Sequence, residues 1–166
     1  MIGSDFLPDY YRNYVLKVNQ LEEPVNILFD EQEVETKEFV LSLKHEDLSW
    51  RYADGKWNML EMLQHIIDVE QVFQYRYLRA LRDKKAEIKG FNHDKWVHDL
   101  QGLDLPHLFS LYAAVRSVSK VLFLQEADNV YCEIDGNKLS ANYIPYILLG
   151  HEKHHVTFMR GIYENK

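Results

Sequence analysis

His151 and His155 stand four residues apart in the run Gly150-His151-Glu152-Lys153-His154-His155. On a helix this spacing puts both imidazoles on one face, one turn apart. Ile144, Ile147, Leu148, Phe158, Met159 and Ile162 recur around them at helical spacing, so both histidines fall inside an apolar stripe. A buried imidazole needs a partner. Each ring could hydrogen-bond to a neighbouring side chain. Two rings on adjacent turns can instead share a metal ion, for which neutral imidazole is the commonest ligand. His154 lies about 100° around the helix from His155. It belongs on the flank and is not counted as a ligand.

A third histidine, His65, sits in another helical stretch near Met62, Val69, Val72 and Phe73 on the helical wheel. One ligand on one helix and an i, i+4 pair on another can converge on one ion if the helices are neighbours. Three neutral imidazoles suit zinc, nickel or another borderline divalent metal, and three protein ligands leave positions open for water or substrate. Water bound at such a site ionises near neutral pH, and a bound thiol has its pKa lowered.

The other polar residues have simpler readings. Asp68, one turn from His65, can orient an imidazole, ligate the metal or act as a base, or it can be a salt-bridged surface acid. Glu61 is a helix cap. Glu152 reads as a solvated surface acid, and His45, His93, His98 and His107 as surface residues in or near connections. Cys132 lies beside turn-like residues and far from the histidines, as a bystander thiol does.

Four amphipathic stretches must position these residues. The first runs from Glu22 to about Leu43, with Pro24 in its first turn. The second runs from about Met59 to Arg82. Asn58 is its N-cap and Glu61 the capping-box partner, and its apolar residues cover more than one side, as expected of a central helix. The third spans Leu105 to about Gln125, with Leu108, Leu111, Tyr112, Val115, Val118 and Leu122 as its buried stripe. The fourth begins near Asn142, which puts Pro145 harmlessly in the first turn. Gly150 is then mid-helix, at a cost of about 1 kcal/mol relative to alanine, and fits a place where another helix or a ligand comes close.

Residues 1–21 form a lead-in in which Pro8-Asp9-Tyr10-Tyr11 starts a short helical turn. Residues 83–103, marked as exposed by Lys84-Lys85 and Gly90, and residues 126–141 are long connections. Asp135-Gly136-Asn137 is a turn, and Val130–Ile134 a short extended piece from which no sheet is expected. Four such stripes bury one another in an all-α four-helix bundle, a fold that commonly builds metal sites from side chains on facing helices.

The 166 residues suit one domain, 1–166. With 46% hydrophobic residues the chain is globular. A net charge of −7 argues against nucleic acid as the main partner. No apolar run approaches membrane-spanning length. Met1 to Asp9 has no signal-peptide pattern, and a single cysteine allows no internal disulfide. A cytoplasmic protein with no membrane partner is expected.

Several segments, in order, carry a family resemblance. They are Tyr52-Ala53-Asp54-Gly55-Lys56-Trp57, then His65-Ile66-Ile67-Asp68-Val69-Glu70, then Phe73, Tyr75-Arg76 and Arg79, then Gly90-Phe91-Asn92, and finally Gly150 to His155. From about residue 22 onward the chain resembles the DinB-like superfamily, in particular its branch of metal-dependent hydrolases and bacillithiol transferases. The resemblance implies a bundle in up-down-down-up order with long crossings. It also implies a zinc or nickel ion held by His65, His151 and His155, and in many members a homodimer. The activity implied is transfer of a low-molecular-weight thiol to a small electrophilic molecule, or hydrolysis. The alternative is a non-catalytic metal- or ligand-binding bundle of the stress response. Neither long connection carries a signature for the substrate.

Overall fold

The structure, a computed structural model, describes residues 6–18, 23–83, 86–98, 102 and 104–166. The helix start expected at Glu22 and the Lys84-Lys85 pair lie outside the described residues. Four long helices form the bundle: α2 (Val25–Ser42), α3 (Met59–Arg82), α5 (Leu105–Leu122) and α6 (Ile144–Tyr163), preceded by α1 (Asp9–Val18) and with the short α4 (His93–His98) between α3 and α5. Local chemistry sets several of their starts. Asn58 accepts from Glu61 N–H while the Glu61 carboxylate accepts from Asn58 N–H, closing the capping box of α3. Asp104 caps α5, where Pro106 occupies the first turn, and Pro145 does the same at α6.

Both α2 and α3 pack against α5 and α6. Contacts along the helices give their directions. Gln32 and Thr36 of α2 meet Leu149 and Glu152 of α6 in rising order, so these helices are parallel. Glu70 and Tyr77 of α3 meet Arg116 and Gln125 in and just after α5 in the same sense. Phe29 meets Phe123 while Lys37 lies over Tyr112, so α2 and α5 are antiparallel. This is the expected up-down-down-up bundle.

A polar layer crosses the bundle midway. Arg116 of α5 pairs with Glu70 of α3 (2.8 Å) and with Glu152 of α6. Thr36 of α2 and Tyr112 donate to Glu152 (2.6 and 2.5 Å), and Ser119 donates to Glu70 (2.6 Å). All six side chains are buried. One apolar cluster lies on either side of this layer. The first includes Phe29, Phe73, Tyr77 and Ile144, and the second Met62, Leu63, Leu108 and Met159. Removing one member of such a triad costs about 3–5 kcal/mol, because a buried charge is left unpaired.

Glu152 is therefore not the solvated residue expected from sequence. The last helix is buried on two sides, and Glu152 faces α2 and α5 while His151 faces α3. Two residues assigned to apolar stripes, Val118 and Phe158, are instead exposed. The lead-in forms a ten-residue helix, longer than the single turn expected.

A small sheet is also present where none was expected. Its three strands are β1 (Ala86–Ile88), β2 (Tyr131–Ile134) and β3 (Asn137–Ser140). The hairpin β2–β3 turns at Asp135-Gly136, both at positive φ, as the residues predict. The parallel pairing of β1 with β2 joins the two long connections and is held further by Gly90 N–H donating to Asp135 (2.8 Å). Strands of three or four residues carry too little alternation to be read from sequence. Their pairing here depends on tertiary packing, with Cys132 and Leu139 buried in the core beneath. No described helix is long and apolar enough to cross a membrane.

Candidate metal centre

Facing positions on α3 and α6 bring His65, His151 and His155 together. The His151 Nε2 lies 3.1 Å from His65 Nε2 and 3.1 Å from His155 Nε2. One nitrogen of each ring falls within 4.8 Å of the others. His65 and His151 are buried and His155 is half-buried. The three sequence candidates thus form one cluster. Asp68 does not join it. Asp68 accepts from the Gln64 side chain (2.7 Å) and is not among the residues lining the cavity above the histidines.

Protons alone serve this arrangement poorly. A neutral imidazole has one N–H and one lone pair. His151 Nε2 meets two other Nε2 atoms, and it can donate well to only one of them or must accept from both at once. A single cation accepts all three lone pairs. Two nitrogens bound to zinc at about 2.0–2.1 Å stand about 3.3 Å apart at the tetrahedral angle, close to the spacing observed. The electrostatics agree. Burial, followed by repulsion from His155 and His93, pushes His65 down to about 3. Burial, then His154, pushes His155 down to about 4, and burial with its imidazole neighbours holds His151 well below the ordinary value. Near neutral pH all three rings are uncharged, the form that binds metal. The donor set fits a divalent ion.

Aromatic rings fix the imidazole planes. Trp57 packs 4.6 Å from His65 and lies stacked at 6.2 Å from His155. Tyr14 of α1 meets His151 edge-on at 5.5 Å. This contact depends on Gly150, where an added Cβ would fall 2.1 Å from the Tyr14 carbonyl oxygen. The close approach suggested by this glycine is made by α1. His154 is exposed on the flank and lies 3.3 Å from Lys17 Nζ, as its place on the wheel predicts.

The histidines open on a cavity of about 460 Å³ walled by α1, α3, α6 and the two connections. Its lining includes Tyr11, Trp57, Phe73, Arg76, Phe91 and His93. The sequence reads His93 as a surface residue. It is exposed, yet its ring lies 5.4 Å from His65, because the sheet draws its connection over the site. Arg76, quoted above only among the residues that carry the resemblance, lines the cavity as well. It is eleven residues after His65, three turns along the same face of α3, and the signal for it was an arginine inside the stripe that contains Val69 and Phe73.

The chain matches the family model described as the DinB superfamily over residues 28–159. A protein of Oceanobacillus iheyensis named "Putative metal-dependent hydrolase OB0413" is 34% identical over 59 residues, covering 36% of this chain and 34% of that protein. The chain thus spans about a third of the length of this curated relative. Among solved structures, YfiT from Bacillus subtilis superposes with a TM-score of 0.76 at 13% identity, covering 99% of this chain and 92% of that one. YfiT is described as "a probable metal-dependent hydrolase with an unusual four-helix bundle topology", and the likeness to it is one of fold.

Proposed function

Since the chain belongs to the DinB superfamily, we propose that it is a metal-dependent enzyme acting on a small electrophilic molecule by attack of water or of a thiol. The observation that carries this reading is the convergence of three uncharged imidazole nitrogens at the floor of an open cavity. His65, His151 and His155 would hold the ion, zinc or nickel. A divalent cation there supplies a Lewis acid, under which bound water or thiol loses its proton near neutral pH.

The remaining contributions come from the chain itself. Trp57 and Tyr14 keep the rings aimed at one point, which holds the ligand geometry before any substrate arrives. Tyr11, Phe73 and Phe91 line the cavity with aromatic surface that displaces water and packs against an organic substrate. The partial, local match to a named metal-dependent hydrolase supports the hydrolytic arm of the reading. The openness of the cavity favours a reactive site over a structural staple, whose ligands would close around the ion.

The test is turnover of a panel of electrophiles, with and without added low-molecular-weight thiols, by zinc- or nickel-loaded protein. Activity is expected with the metal, and it is expected to vanish on chelation and in His151→Ala while the helical circular dichroism persists. Full activity after metal removal would overturn the reading. No turnover, together with a large fall in melting temperature on chelation, would leave the metal as a staple between α3 and α6.

A further inference from the structure

Arg76 is 3% exposed and lines the same cavity as the three histidines. Its guanidinium lies over Phe73 (4.6 Å) and Phe91 (5.7 Å), and one NH1 hydrogen reaches the Tyr11 hydroxyl at 3.2 Å. Its Nε is buried with no hydrogen-bond partner. Among the described residues it forms no ion pair. Asp135, the carboxylate that shares the cavity wall, accepts from Gly90 N–H and lies 3.8 Å from Lys89 Nζ.

The other buried arginine shows what the fold provides when a guanidinium serves structure alone. Arg116 faces two buried carboxylates, Glu70 and Glu152. Arg116 also lies over two rings, Phe29 and Tyr112, and its Nε is likewise unpartnered; what Arg76 lacks is the carboxylate, in whose place it has a tyrosine hydroxyl. A buried cation left without its counter-charge is destabilising, and the aromatic rings compensate it only in part. Its position opens on a space large enough for a small organic molecule.

Position on the helix adds a length. Arg76 and His65 are eleven residues apart on one face of α3, about 16 Å between backbone positions at 1.5 Å per residue. Long helical side chains lean toward the N-terminus, so the Arg76 head group leans toward the histidine end. We propose that Arg76 is the anion-recognition residue of this cavity, binding a carboxylate on the substrate while the substrate's reactive group lies at the His65–His151–His155 cluster. The proposal rests on the reading that this cavity takes the substrate. It narrows the substrate class to small electrophiles that carry a carboxylate at one end, with a ring or short chain between it and the reacting group. Arg76 then sets specificity and position.

The experiment compares two probes that differ only in charge: benzohydroxamic acid bearing a para-carboxylate, and the same compound bearing a para-carboxamide. Calorimetric titration into zinc-loaded wild type is expected to show the carboxylate binding about tenfold more tightly, the value of a charge-assisted pair over a neutral one. Arg76→Met should bring the two affinities together with zinc content unchanged, and Arg76→Lys should restore part of the preference. In His155→Ala both probes should weaken while the preference survives. The metal reading and the arginine reading therefore fail separately. If no zinc binds at all, the carboxylate preference should still depend on Arg76. Unliganded Arg76→Met should also melt higher than wild type, because an unpaired buried charge has been removed. No carboxylate preference in wild type, the same preference in Arg76→Met, or a lower melting temperature for unliganded Arg76→Met would overturn the proposal.

Discussion

His65, His151 and His155 are uncharged for a physical reason that has a consequence for stability. Burial pushes His65 down to about 3 and His155 to about 4, against an ordinary value of 6.5. In the metal-free protein these rings stay neutral until the pH falls that far. Unfolded, they take up protons from about pH 6.5 downward. The unfolded state therefore binds more protons between about pH 6.5 and 4, and stability rises with pH across that window. The stabilisation is fully present above pH 6.5 and is lost as acid is added. Metal-free wild type should show a urea midpoint that falls more steeply from pH 6.5 to 4 than that of the His65→Leu/His155→Leu double variant. Parallel midpoints in the two proteins would contradict this assignment. At this scale the metal-ligand candidates were legible in the sequence, because i, i+4 spacing inside an apolar stripe fixes two rings on one face. Glu152 was not. Its burial comes from contacts with Thr36, Tyr112 and Arg116 on two other helices, and nothing local in its own helix marks it. The complementary clue was Arg116, one residue after Val115 in the stripe of α5.

At the scale of elements, the position of Tyr14 over His151 depends on how closely α1 approaches α6. Gly150 permits it, since a Cβ there would lie 2.1 Å from Tyr14 O and 2.6 Å from Tyr14 C, both backbone atoms that cannot rotate away. Alanine is the better helix former by about 1 kcal/mol, so helix propensity alone predicts that Gly150→Ala stabilises. Packing predicts the reverse, a loss of about 1–3 kcal/mol from overpacking, with α1 displaced. Urea denaturation decides between them, and a gain in stability would show that α1 is not held against α6 at this point. The four long helices were legible from periodicity and from their caps, as the Asn58–Glu61 box and Pro145 illustrate. The sheet was not, because the partner of β1 lies more than forty residues away in another connection. The extent of α1 was underestimated for a similar reason. Its buried residues, Val15 and Val18, pack on the body of the bundle and not within a stripe of their own.

The whole molecule divides its tasks along the bundle axis. The layer of Glu70, Arg116 and Glu152 links α3, α5 and α6, with Thr36 adding α2, and it fixes the helices in one register. That register sets His65 opposite His151. The two connections and α1 then close over one flank and make a cavity with three imidazoles at its floor and Arg76 in its wall. Family membership bears on the fold, and the walls of the cavity decide what enters. The proposed reaction depends on the three histidines acting as ligands. The most direct measurement is the metal content of purified wild type beside His155→Ala, both after reconstitution with zinc or nickel. About one equivalent in wild type, lost in the variant with the fold retained, is the predicted result. No bound metal in wild type, or the same content in both proteins, would contradict the account and return the histidines to the core as hydrogen-bonded side chains.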